Sequence, residues 1–115
     1  MAIDIFQTLD VIETLENYID KIRPPEEMRE QYDISYKIED QSVIIYEIRE
    51  DWKNKDDKME VPVAKTTYVK RQKHWKVFWQ QSDLKWHAYE PKPVVNSIKE
   101  FVEEVEKDEM QCFWG

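Results

Sequence analysis

Residues 61–90, VPVAKTTYVKRQKHWKVFWQQSDLKWHAYE, alternate polar and large apolar side chains with a period of two, which leaves little room for anything but antiparallel strands. Three strands, roughly 63–71, 74–81 and 84–90, are separated by the polar links Gln72-Lys73 and Ser82-Asp83, giving a meander. With a two-residue turn at the second link, Trp79 lies opposite Trp86, Val77 opposite Ala88 and Trp75 opposite Glu90, so the indoles share one face. Phe78 then lies beside His87, Lys76 beside Tyr89 and Gln80 beside Lys85 on the other face. Continued through the first link, the pattern adds Thr66 and Tyr68 to the indole face, and Lys65, Thr67 and Val69 to the lysine face. Neither link contains the glycine or asparagine that tight primed turns favour, so a three- or four-residue loop competes at each. A slip of one residue exchanges the faces. It would expose the Trp79/Trp86 pair and bury Lys65, Lys76 and Lys85, so the indole face is expected inside.

The rest of the chain supplies the cover for that face. With 115 residues it is long enough for a single core, and 41% hydrophobic residues with 13% aromatics argue for a packed globule over a disordered chain. Ile5 to Ile22 repeat apolar residues at helical spacing through Phe6, Leu9, Ile12, Leu15, Ile19 and Ile22, and Asp4 with Gln7 has the form of a capping box. Pro24 disfavours helical geometry at Arg23 and ends the helix there, while Pro25 suits the first turn of a short second helix through Glu26, Glu27, Met28 and Arg29. Residues 32–39 and 43–50 alternate as two strands of a hairpin across Asp40-Gln41-Ser42. In the second strand Ile44, Tyr46 and Ile48 share one face, and Val43, Ile45, Glu47 and Arg49 the other. The charged stretch 51–60 is expected as a solvent loop anchored by Trp52. Pro91 and Pro93 close the last strand, and Ser97 with Glu100 caps a C-terminal helix with Ile98, Phe101, Val102 and Val105 inward. Phe113 and Trp114 are expected to fold back onto the sheet. The fold class is α+β: a five-stranded antiparallel sheet, with an N-terminal helix, a short second helix and a C-terminal helix on one face, in one domain spanning residues 1–115. The other face stays open to solvent.

Charge is unevenly spread. Residues 61–90 carry six Lys/Arg against two Asp/Glu, or +4, whereas the remainder carries eleven against twenty-three, or −12, giving the net −8. Such a chain does not bind nucleic acid through its whole surface, but its basic sheet face suits an acidic partner. No run of about 18 apolar residues spans a membrane, and the acidic, amphipathic start is unlike a signal peptide, which points to the cytoplasm and to no membrane partner. Cys112 is the single cysteine, which excludes an internal disulfide and a cysteine-cluster metal site.

The only glycine is Gly115, so glycine loops that cradle phosphates and the nucleophile elbow are absent. His74 and His87 have no carboxylate or thiol at ligand spacing, so neither a bound metal nor any other cofactor is expected. Catalysis has one candidate constellation: Glu47 and Lys65 on adjacent strands, with His87 as a base, in the manner of a small metal-dependent hydrolase or nuclease. A surface cross-strand ion pair is the preferred explanation of Glu47, Arg49 and Lys65. The leading reading is a non-catalytic binding module. Lys65, Lys76 and Lys85 supply charge and Phe78, His87 and Tyr89 supply contact area toward nucleic acid or an acidic protein surface. A homodimer joined through that face or through the apolar tail is the third reading.

The segments RPP at 23–25, YEIRED-W at 46–52, PVAKTTYVK at 62–70, W-KVFW-x-x-SDLKWHAYEP at 75–91 and the terminal CFWG resemble the small bacterial proteins grouped as domain of unknown function 3024. The order LKWH-x-Y is the most specific of these, because strand propensity alone does not call for it. The resemblance implies a stand-alone bacterial domain and transfers no activity and no functional residue.

Overall fold

Asp4 starts the first helix by accepting the backbone N–H of Gln7 at 2.8 Å, while its own N–H donates to the Gln7 side chain at 3.3 Å, and these two bonds satisfy donors that a helix start leaves open. A computed structural model describes residues 3–51, 53–54 and 56–114, so the expected anchor Trp52 lies outside the described residues. Helix α1 (Ile5–Ile22) stops at Arg23, whose backbone is extended as the following proline requires. The chain then makes one 3-10 turn at Glu26–Met28 that buries no residue. Three residues leave no apolar stripe, so the expected short second helix does not pack on the sheet.

Strands β1 (Tyr32–Glu39) and β2 (Ser42–Glu50) form the expected hairpin, but its link is the two residues Asp40-Gln41 and not the expected three, with Asp40 in the left-handed region and Ser42 already paired to Glu39 in the sheet. Strand β3 (Lys58–Val69) begins earlier than the charge pattern suggests, taking in three residues of the expected loop. It continues the meander, although Pro62 sits inside a central strand. Proline offers no N–H to a ladder, and the pairing with β2 shifts register at this point, leaving Val63 as the extra residue of a bulge. Beyond Lys70–Lys73, β4 (His74–Gln80) pairs with β3 through Thr66↔Val77 and Lys65↔Phe78. The four-residue link replaces the expected two-residue one; because both are even in length, each residue keeps its face.

The next link behaves differently. Gln81 donates to the Lys85 carbonyl at 3.2 Å, so the loop is the three-residue form Ser82-Asp83-Leu84, with Leu84 in the left-handed region as that loop type demands. One extra residue moves the register by one, and β5 (Trp86–Ala88) pairs as Phe78↔Ala88, Trp79↔His87 and Gln80↔Trp86. The two faces of β5 are therefore exchanged relative to the two-residue turn. After the turn that holds Pro91 and Pro93, β6 (Val94–Val95) returns to the same edge of β4, at Trp75↔Val95. Val77 bridges the gap by donating to the Pro93 carbonyl and accepting from the Tyr89 N–H, each at 2.9 Å. Five antiparallel strands thus stand in sequence order, with β6 paired to β4 off that path.

Helix α2 (Ile98–Lys107) is capped by Ser97, and its four expected inward residues are buried. It packs with α1 on one sheet face over Val43, Ile45, Ala64, Trp75 and Val77, and Lys21 meets Glu106 at 2.7 Å between the helices. The Asp108 carboxylate accepts the backbone N–H groups of Phe113 and Trp114, both at 2.9 Å, folding the tail inward until Phe113 is buried against Tyr89. One part of the helical pattern reads differently in three dimensions. The buried stripe of α1 is Val11, Leu15, Tyr18 and Ile19, whereas Phe6 is 80% and Leu9 57% exposed, with Ile5 and Ile12 also in solvent. Two overlapping stripes have the same 3.6-residue period, and packing of Tyr18 beside Trp114 selects the one that faces inward. Among the described residues no helix is long and apolar enough to cross a membrane.

Candidate binding face

The face opposite the helices is built from rows of residues that cross the strands. The central row runs Lys37, Ile44, Lys65, Phe78 and Ala88, one residue each from β1 to β5. Neighbouring strands lie about 4.8 Å apart, so Lys37 and Lys65 flank Ile44 roughly 10 Å from each other. Ile44 is buried, yet it stands apart from the helix-covered core. Its neighbours on its own face are Lys37 and Lys65, side chains whose long stems suit apolar surface while the ammonium groups stay in water.

Aromatic rings accompany these lysines. Lys65 Nζ stands 5.9 Å from the Phe78 ring centre and 5.7 Å from that of Trp86, and Lys37 Nζ stands 5.3 Å from Tyr46. Each separation is within cation–π range, so the ammonium groups sit above ring faces that are themselves only partly buried. On the next row Ser42 and Thr67 join their hydroxyls at 2.7 Å, with exposed Lys76 opposite Thr67. Acidic residues enter this face at the β1 and β3 ends, where Glu39 and Glu60 pair with Lys37 at 3.6 and 3.1 Å and raise its pKa, chiefly through Glu60. No carboxylate pairs with Lys65 or Lys76 among the described ion pairs.

The expected site residues divide between the two sides of the sheet. Lys65, Lys76 and Phe78 lie together on the open face, as the period-two pattern requires. Lys85 lies between the three-residue loop and β5 and not on a strand, its N–H donating to the Asp83 carboxylate at 2.9 Å. Tyr89 is on the helix side and only 1% exposed, because the three-residue loop exchanges the faces of β5. His87 turns to the same side, and its Nε2 lies 2.9 Å from Asp83 Oδ2. The backbone N–H of Lys85, and then His87, hold the Asp83 carboxyl below the usual carboxylate range.

Glu47, Lys65 and His87 are not brought together. Strands β2 and β3 are neighbours, but Glu47 is opposite Val61 and Lys65 opposite Ile44, on different faces. Glu47 instead accepts the Tyr32 hydroxyl at 2.5 Å and pairs with Arg49 at 3.0 Å. Burial, followed by that hydrogen bond, pushes the Tyr32 phenol up to about 12. Among the described residues no cluster of three His, Cys, Asp or Glu side chains is arranged to hold a metal ion.

Four contributors to the face are absent from the expected set: Lys37, Ile44 and Tyr46, which lie outside residues 61–90, and Trp86, expected on the other face. Ile44 and Tyr46 were legible as a shared face within β2, and a two-residue hairpin turn at Asp40-Gln41 would have brought Lys37 beside them. Trp86 had no such signal, since its side depends on one residue of loop length.

An antiparallel sheet covered by two helices on one face and carrying a lysine–aromatic row on the other defines a small α+β protein with one open sheet face. The chain belongs to the family described as Domain of unknown function (DUF3024), whose model matches residues 3–115. No curated protein and no solved structure matches it.

Proposed function

We propose that this protein is a binding module whose open sheet face takes short single-stranded nucleic acid. The observation that carries the reading is Lys65, a cation with no carboxylate pair in the described structure, standing over the rings of Phe78 and Trp86. Partly exposed rings stack on bases of any sequence, and ammonium groups between them meet the phosphates. Lys65, Lys76, Phe78 and Trp86 form the working patch, with Lys37 and Tyr46 extending it across β2 to β1. The −12 carried outside residues 61–90 repels a long polyanion, which favours a short strand over duplex.

The test is anisotropy of labelled single- and double-stranded oligonucleotides at two salt concentrations, with and without Mg²⁺. Single strands are expected to bind more tightly than duplex, with affinity falling as salt rises. Lys65→Ala should reduce the salt slope by about 0.7, as removal of one phosphate contact to a single strand does. Trp86→Ala should cost about 1–3 kcal/mol of binding, the worth of one stacked base. Lys99→Ala, on the exposed side of α2, is the control and should change neither. Absence of binding at low salt sinks the nucleic-acid reading. The occupants to examine then are an acidic protein surface, found by its own salt-sensitive loss in Lys65→Ala, and a second copy, found by a mass that rises with concentration.

A further inference from the structure

The exposed side of α1 is half apolar and half acidic. At about 100° per residue, Ile5, Phe6, Leu9 and Ile12 fall within an arc of about 120°, turned away from the buried Val11, Leu15 and Tyr18. Ile5 is 66% and Phe6 80% exposed, with Leu9 and Ile12 also in solvent, and their spacing makes them neighbours on the helix surface. Apolar residues scattered singly over a surface need no partner, but a contiguous patch that includes an exposed aromatic ring marks an interaction site. Glu13, Glu16 and Asp20 continue the same arc toward the C-terminal end, and all three are exposed. The cations of residues 4–23 are engaged elsewhere, Lys21 by Glu106 at 2.7 Å and Arg23 by Asp33 at 2.6 Å. None of the three carboxylates is in a described ion pair.

Beside this stripe, a groove of about 450 Å³ between α1 and the edge strand β1 is lined by Ile12, Glu16 and Ile19 of the helix and by Tyr36 and Ile38 of the strand. Arg23, Asp33 and Lys37 also line it, each paired within the protein, so Glu16 is its one charged member outside a described ion pair.

Charge selects the occupant. A second copy fits poorly in either direction. Parallel α1 helices would set Glu13, Glu16 and Asp20 beside the same residues, and an antiparallel pair matching Ile5 with Ile12 would set Glu13 of each against Asp4 of the other. The carboxylates equally repel nucleic acid and anionic lipid. A helix with apolar side chains and Lys or Arg on one face meets both halves of the stripe.

We propose that the exposed face of α1 docks a basic amphipathic helix of another protein, its apolar anchors covering Ile5, Phe6, Leu9 and Ile12 and its Lys or Arg side chains pairing with Glu13, Glu16 and Asp20. Lys37 lines both the groove and the open sheet face, whereas Lys65, Lys76, Phe78 and Trp86 do not line the groove.

Fluorescence anisotropy with three labelled peptides of 18 residues, the length of α1, tests it. The first carries leucines along one helical face and lysines on that face in one half. The second replaces the lysines with glutamate, and the third scrambles the first so that both residue types are spread around the helix. In titrations to about 200 µM the first is expected to bind about tenfold or more tightly than either control, with affinity falling as salt rises. Phe6→Ala should weaken it about tenfold, as loss of an aromatic anchor does, and Leu9→Gln severalfold. Both variants should keep the parent Tm, because these side chains are mostly exposed in the free protein. Glu13→Gln combined with Glu16→Gln should weaken it severalfold and flatten the salt dependence. Lys65→Ala should leave it unchanged, which separates this result from that of the oligonucleotide titrations. The proposal is overturned by equal binding of the glutamate or scrambled peptide, or by no binding across the titration. It is also overturned by a mass that doubles with concentration and returns to the monomer in Phe6→Ala, which would make a second copy the occupant.

Discussion

Leu84 decides which side chains β5 presents to each face, and it does so at a measurable cost. It is 77% exposed, so its side chain contributes little packing, yet its φ of 64° places a Cβ-bearing residue in the left-handed region. That conformation costs about 1–2 kcal/mol for an L-residue other than glycine. Glycine removes the clash and loses about 0.5–1 kcal/mol more chain entropy on folding, so Leu84→Gly is expected to stabilise by roughly 0.5–1 kcal/mol. For a chain of 115 residues this corresponds to a Tm rise of about 2–5 °C. Leu84→Ala keeps the Cβ and should fall within about 0.5 kcal/mol of the parent. Deleting Leu84 shortens the link to Ser82-Asp83 but leaves Gln81 beside Lys85, so Phe78 still pairs with Ala88 and Tyr89 stays on the helix side. Guanidinium denaturation followed by near-ultraviolet circular dichroism measures all three variants. A glycine variant no more stable than the alanine variant, or a deletion that loses the near-ultraviolet signal of the packed aromatic residues, would refute the account of how this loop sets the register.

Three further outcomes test other parts of the structure. Thr66→Val should destabilise by about 1–2 kcal/mol in denaturant titration, because the buried hydroxyl donates to the Lys76 carbonyl at 2.8 Å and valine leaves that acceptor short of a partner. Asp33 is hydrogen-bonded by Arg23 at 2.6 and 2.9 Å, which with the Ile34 N–H holds its pKa below the usual value against the opposing effect of burial. A depressed folded-state pKa means that this contribution is full above the unfolded pKa of about 3.8 and is lost as pH falls through the folded one; Asp33→Asn should flatten the stability profile below about pH 4. On α1, Leu9→Gln should change stability by less than about 0.5 kcal/mol and Leu15→Ala should cost about 2–5 kcal/mol, since Leu9 is 57% exposed and Leu15 is fully buried. Equal effects in thermal melts would place the helix in the wrong rotation about its axis.

Period and punctuation carry most of the fold. Asp4 with Gln7 and Ser97 with Glu100 mark both helix starts, Pro24 marks the end of α1, and alternation along 32–50 and 61–81 sets four strands and their faces. These signals are local: a cap, a missing N–H or a two-residue repeat acts within a few residues of itself. They also place Lys65, Lys76 and Phe78 on one face, because an error of two in the Lys70–Lys73 link leaves parity unchanged. Tertiary structure alone decided the remainder. One residue of loop length at Leu84 moved Tyr89 into the core and Trp86 onto the open face, and no local preference distinguishes a two-residue link from a three-residue one in a segment without glycine. The rotation of α1 was likewise open, since Leu9 and Val11 both lie on apolar stripes of the same period and only docking against the sheet and Trp114 chose between them. The packing of Tyr89 against Phe113 belongs wholly to this second level. The two rings are more than twenty residues apart along the chain, and they meet because Asp108 folds Phe113 back onto the sheet.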